Sequence, residues 1–174
     1  FYLSAKSKRG YTLISNIYVN GTIGKWKRND KNLDIIEIIF EKPIKKGIVT
    51  IDLSYIIKLP SSKFTGYGKI KKDQYFLENF FITLSNFDGI KQSFYSNLDL
   101  EEDPINSSKF KVELRIDKDL KAYSSLDLKD FNKENGEVVY FFQSNKIRQM
   151  IFLIGKTDLN VKEFLLDDKN VKNI

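Results

Sequence analysis

Apolar and polar residues alternate with a period of two along several stretches of this chain. The clearest is residues 109–117, where Phe110, Val112, Leu114 and Ile116 interleave with Lys111, Glu113, Arg115 and Asp117. Successive side chains of a strand point to opposite faces, so this spacing predicts a strand with one buried and one wet face, in an antiparallel sheet. Residues 49–55 repeat it, with Val49, Ile51, Leu53 and Tyr55 against Thr50, Asp52 and Ser54, and residues 43–47 before them read as a turn. Residues 33–40 are more continuously apolar and β-branched, which predicts a strand covered on both faces. Tyr11–Val19 is a strand ending at Asn20-Gly21, a dipeptide suited to the positive φ angles of a tight hairpin. Asn135-Gly136 similarly separates strands over 126–132 and 138–143, and the polar stretch 144–148 separates the latter from a strand over 150–154.

Helical signals are sparse. Residues 127–133 carry a weak one, and residues 158–166 fit a final strand through Val161, Glu163 and Leu165 better than a short capped helix. Residues 60–104 hold aromatics and turn formers with little periodicity and read as long loops between sheets. Many short strands separated by turns predict an all-β chain, an antiparallel β-sandwich or saddle-like sheet with little helix. Neither a repeat nor a composition break divides residues 1–174, so a single β domain is expected.

Composition narrows the chemistry. The 174 residues include no histidine and no cysteine, while 41% are hydrophobic and 14% aromatic, enough for a real core. Without histidine there is no helical zinc-peptidase motif and no Ser-His-Asp triad, and no glycine-rich phosphate loop is present. Only a Ser-Lys arrangement or an unspecified carboxylate pair stays open as chemistry. No metal or cofactor is expected in this chain, and it is read as non-catalytic. The acidic group Asp99, Glu101, Glu102 and Asp103 precedes Pro104 and reads as a solvated loop, since it lacks the glycine-bearing turn of a calcium loop.

The net charge is +6, with signs mixed along the chain. Basic residues gather at Lys6, Lys8 and Arg9, at Lys25, Lys27 and Arg28 around Trp26, and at Lys69, Lys71 and Lys72 between aromatics. A single-stranded nucleic-acid groove uses such interleaving, but loop lysines beside core aromatics are the preferred reading, and nucleic acid is not the expected partner. Trp26, Phe64 and Tyr67 are the candidate ligand or interface contacts. Asn20-Gly-Thr22 and Asn106-Ser-Ser108 match the glycosylation triplet, which arises readily by chance in an asparagine-rich chain. No apolar run reaches the roughly 18 to 20 residues of a membrane-crossing helix. The chain opens at Phe1, which suggests a processed or excised product, and a membrane association is left unassigned.

Several segments, in order, carry a family resemblance. Ile17-Tyr-Val-Asn-Gly21, residues 33–43 and residues 47–55 resemble the opening meander of the N-terminal β domain of aminopeptidase N-like zinc metallopeptidases, particularly divergent bacterial members. Phe64-Thr-Gly-Tyr67 stands where relatives have an aromatic-glycine loop, and Tyr75-Phe-Leu-Glu-Asn-Phe-Phe-Ile82 where they have a tryptophan-tyrosine-proline segment. Residues 96–104, 109–117 and 120–124 resemble the acidic stretch, long strand and turn that follow, and residues 139–142 and 149–155 resemble the paired closing strands. The family proline near position 82 is absent here, and Gln74 is not assigned the substrate-facing role of the family glutamine.

The resemblance implies a non-catalytic scaffold domain that packs on a downstream catalytic domain of the same polypeptide. Zinc is then expected only in that domain, and peptide substrate is met only indirectly. Bacterial cytoplasm and cell envelope are both compatible with it. The alternative is a freestanding cell-surface β-sandwich module that binds sugar, peptide or protein through Trp26, Phe64 and Tyr67.

Overall fold

The computed structural model describes residues 10–31, 35–40, 42–43, 46–87, 92–93, 107–156, 162–166 and 169–173. Among them one short helix accompanies the strands, as the alternating pattern predicts. In chain order the elements are β1 (Tyr11–Val19), β2 (Thr22–Ile23), β3 (Lys25–Arg28), β4 (Ile36–Ile39), β5 (Ile51–Lys58), α1 (Ser62–Thr65), β6 (Gly68–Lys71), β7 (Gln74–Glu78), β8 (Asn86–Phe87) and β9 (Gln92–Ser93). They continue with β10 (Ser108–Asp117), β11 (Lys121–Ser124), β12 (Asp127–Glu134), β13 (Glu137–Ile147), β14 (Ile151–Gly155), β15 (Lys162–Leu166) and β16 (Lys169–Asn173). Every pair of these strands is antiparallel. Residue contacts group into two compact units, Phe1–Pro60 with Ser85–Asp103, and Ser61–Leu84 with Pro104–Ile174.

In the first unit β1 is flanked by β2 and β5. Asn20 and Gly21 take φ of 48° and 79°, and Val19 pairs with Thr22 across the two-residue loop, which is the tight hairpin that Asn-Gly predicts. On β5, Ile51, Leu53, Tyr55 and Ile57 are half-buried while Asp52, Ser54, Ile56 and Lys58 are exposed, matching the expected alternation. The chain leaves β2 at Gly24, whose N–H still bonds the Ile17 carbonyl at 2.8 Å. It then forms the β3–β4 hairpin. Arg28 Nη2 donates to the Thr12 carbonyl at 2.9 Å and ties that hairpin to β1.

The second unit is a sandwich of two sheets, β10-β13-β12 and β11-β14-β7-β6. Phe142 of β13 and Phe152 of β14 meet edge to face across the sheets, with ring centroids 5.3 Å apart. From Phe152 the aromatic packing continues through Phe80 and Phe81 to Phe110 of β10. On β10, Phe110, Val112, Leu114 and Ile116 are half-buried and the residues between them exposed, the predicted one-wet-face strand. The wet face has its own cover. Arg115 lies opposite Val139 in register and bonds Glu113 on its own strand and Glu134 on β12, so the ion pairs bridge β13 and leave Val139 only 1% exposed.

Three readings from sequence change. Residues 60–104 are not simply loops: their described part contains α1, β6, β7, β8 and β9, and β7 lies between β14 and β6. Every residue of β7 is at least half-buried, which erases the alternation that marks a strand with a wet face. The polar residues 144–147 do not separate strands but extend β13, because Ser144 and Ile147 pair with Phe110 and Ser108 around a bulge. The strand expected before Asn135-Gly136 is present as β12, and the weak helical signal over 127–133 gives way because the hairpin holds these residues against β13. Strands β13 and β14 are not paired with each other; they belong to facing sheets. The predicted final strand is present as β15, paired with β16.

Asn79 links β7 to the approach to β14. Its N–H bonds the Met150 carbonyl at 3.0 Å, and its Oδ1 accepts the Met150 N–H at 2.9 Å, with φ at 41°. Asn79→Gly loses one hydrogen bond, worth about 0.5–1.5 kcal/mol. Asn79→Ala adds the left-handed cost of roughly 1–2 kcal/mol for a side chain with Cβ. Chemical denaturation is therefore expected to rank wild type above Asn79→Gly and Asn79→Gly above Asn79→Ala; glycine equal to or above wild type would contradict the bonding role, and alanine equal to or above glycine would contradict the left-handed backbone.

Candidate functional site

The candidate contact residues divide between the units. Trp26 belongs to the first, and Phe64 and Tyr67 to the second. Trp26 is half-buried on β3, opposite Ile38 of β4. It alternates there with the exposed Lys25 and Lys27, and Lys27 Nζ lies 3.2 Å from Glu37 Oε2. The cations around Trp26 thus stand on a strand and not in a loop. Arg28 and Lys27 both have protein partners, which reduces the case for a phosphate-tracking groove at this hairpin.

Phe64 and Tyr67 are neighbours along the chain at a single helical turn. The helix α1 ends at Gly66, whose φ of 75° supplies the left-handed cap and whose N–H returns to the Ser62 carbonyl at 2.9 Å. That cap turns the chain from Phe64 toward half-buried Tyr67 and into β6. Burial, and secondarily the charge of Glu78, push the Tyr67 phenol above its ordinary range. Around neutral pH it therefore keeps its proton and serves as a hydrogen-bonding ring, without the charge of a phenolate nucleophile.

Strand β6 carries the second basic group of the sequence. Lys69 and Lys71 are exposed on the strand and Lys72 follows in the turn, where Asp73 adopts φ of 55°. Asp73 Oδ2 lies 3.0 Å from Lys156 Nζ at the end of β14. The hydrogen bond from Lys156 holds the Asp73 carboxyl below its ordinary range, helped by the charges of Lys72 and Lys69, and Asp73 in turn raises the Lys156 ammonium. The stabilisation from Asp73 is present above its unfolded pKa and lost as pH falls through its lower folded value. That from Lys156 is present below its unfolded pKa and lost as pH rises through its higher folded value. Both side chains reach solvent, so salt weakens the pair. In an NMR titration of carboxyl carbons, Lys156→Met is expected to raise the Asp73 pKa; an unchanged midpoint would refute the pairing.

Sequence reasoning singled out the basic residues near Asp73 but had no local signal for its partner Lys156, the residue after β14. It also missed the carboxylates of β12, because an eight-residue stretch of mixed charge carries no sign of which residues share a face. The acidic group Asp99, Glu101, Glu102 and Asp103, the cluster Lys6, Lys8 and Arg9, and Asn106 lie outside the described residues. Among the described residues, no three aspartate or glutamate side chains converge as a metal-binding group. The described surface carries half-buried aromatics, exposed lysines and strand edges. Comparison of the chain with protein-family models, curated proteins and solved structures finds no match.

Proposed function

We propose that this chain is a non-catalytic β scaffold, the N-terminal domain of a zinc aminopeptidase-like protein, and that it packs on a catalytic domain of the same polypeptide. The reading rests on a chain without histidine or cysteine and on the resemblance of its sequence segments, from Ile17–Gly21 to residues 149–155, to that domain, although β13 and β14 lie in different sheets and do not pair as the resemblance implies. Zinc peptidase chemistry needs metal ligands and a general base held on a rigid frame. Here the frame is on this chain and the ligands are assigned to the next domain, so this chain would contribute shape and contact at a peptide site. The isolated chain is expected to release no product from aminoacyl anilides and to bind zinc well below one equivalent after dialysis. Stoichiometric zinc, or turnover abolished by a chelator, would overturn the proposal.

A further inference from the structure

Strand β12 is an edge of its sheet among the described residues, and all eight of its residues are exposed. Glu134 pairs with Glu137 across the two-residue Asn135-Gly136 loop. In such a hairpin the pair flanking the loop exchanges hydrogen bonds, and successive residues then alternate between the partner strand and the open side. Lys133 and Phe131 therefore direct their N–H and C=O groups to the open edge. In keeping with this, the Phe131 N–H donates to Asp130 Oδ1 at 2.8 Å, a local carboxylate standing where a neighbouring strand would offer a carbonyl.

Two different rows of side chains border that edge. Register places Leu128, Phe131 and Lys133 on the face of Phe142, Tyr140 and Val138, the face that meets the second sheet. Phe131 stacks on Tyr140 at 6.0 Å yet is 52% exposed, and Leu128 is 46% exposed. The opposite row is Asp127, Asp130, Asn132 and Glu134, beside Gln143, Phe141, Val139 and Glu137. Lys129, at the bulge, lies 3.4 Å from Asp127, and Arg115 bonds Glu134. Among the described residues the edge thus offers backbone groups with no strand partner, the Phe131 N–H held only by Asp130, with a half-exposed aromatic on one face and a carboxylate row on the other.

The same charges disfavour a second copy of the chain. A two-fold axis that pairs β12 with itself keeps faces together. Centred on Asp130 it sets that carboxylate against its own copy, centred on Phe131 it opposes Lys129 to Lys133, and centred on Asn132 it opposes Asp130 to Glu134. Like charges directly across a strand pair are destabilising. A strand with basic residues at alternate positions has the reverse relation to the carboxylate row, and its intervening apolar residues cover Phe131 and Leu128.

We propose that the open edge of β12 accepts an extended segment of another protein whose alternate residues are lysine or arginine, adding a strand to the β10-β13-β12 sheet. Backbone hydrogen bonds to Phe131 and Lys133 hold the added strand, and the displaced Asp130 carboxylate pairs with one of its cations. The probes are a short peptide of alternating valine and lysine and its valine-glutamate counterpart, read by amide exchange of the 174-residue chain. The lysine peptide is expected to slow exchange at Phe131 and Lys133 by at least about tenfold, less at high salt, and the glutamate peptide is expected to leave it unchanged. Asp127→Lys with Asp130→Lys should abolish the slowing while β13 amides stay protected. Lys133→Pro should also abolish the slowing of Phe131, because proline is tolerated where the N–H faces an open edge but denies that edge a donor. The proposal is overturned if the lysine peptide leaves β12 unaffected, if both peptides act alike, if Lys133→Pro still docks the peptide, or if protection grows with protein concentration alone.

Discussion

Phe152→Ala is expected to lower the unfolding free energy of the second unit by about 3–5 kcal/mol, the range for deleting a fully buried aromatic ring. Phe152 is 0% exposed, and its ring packs edge to face with Phe142 at 5.3 Å and Phe80 at 5.9 Å. Truncation removes the only described ring that touches both Phe142 of one sheet and Phe80 on the path to Phe110. Loss falls on transfer energy and on the cavity left between sheets that cannot close freely. Urea unfolding followed by amide exchange of β13 and β14 and by circular dichroism measures the change. A double-mutant cycle with Phe142→Ala should show coupling of about 0.5–1.5 kcal/mol, the part due to ring geometry. A loss below about 1 kcal/mol for Phe152→Ala would show that the two sheets are not packed through this ring.

Gly10→Ala is the corresponding test in the first unit. Gly10 has φ of 105°, and a Cβ there would stand 2.6 Å from the Lys58 carbonyl oxygen and 3.1 Å from Pro60 N. Both obstacles are backbone, at the end of β5 where Tyr11 pairs with Lys58, so neither can turn aside as a flexible side chain would. Positive-φ strain of roughly 1–3 kcal/mol adds to the displacement of that strand end. A loss of about 2–4 kcal/mol is expected, together with faster amide exchange at the Tyr11–Lys58 end of the ladder. Gly21→Ala is the control, since its φ is 79° but nothing lies within 4 Å of the added carbon. It should cost only about 1–2 kcal/mol. Equal losses for the two variants would contradict the close approach at Gly10.

What could be read from the sequence follows from which faces of each strand meet water. β5 and β10 have one wet face, and their alternation survives as a pattern in the residues. Two asparagine-glycine turns were legible because few residues tolerate φ near 50° followed by φ near 80°, the values at both loops. β7 was hidden because both of its faces are covered, so polarity no longer reports burial. β12 was legible from the Asn135-Gly136 turn and not from alternation, because both of its faces are exposed, which left a weak helical signal beside the strand reading. The extension of β13 through Ser144 depends on the bulge at Ser108, a partner distant along the chain.

The candidate contacts were legible as residue types and not as an arrangement. Trp26, Phe64 and Tyr67 stood out because aromatics near turns and lysines are unusual enough to notice, yet composition does not tell a hairpin tryptophan in one unit from a tyrosine after a helix cap in the other. The Asp73–Lys156 pair and the two rows of β12 needed strand register, which no local signal in the chain supplies. The absence of histidine, in contrast, was visible at once and constrains chemistry without any geometry.

The most direct measurement is the mass and zinc content of the native polypeptide captured from its source with an antibody against this segment. The scaffold account predicts one chain much larger than 20.3 kDa that carries zinc and cleaves amino-terminal residues from peptides. A metal-free native chain of about 20.3 kDa would contradict it and leave a freestanding β-sandwich binding module in its place.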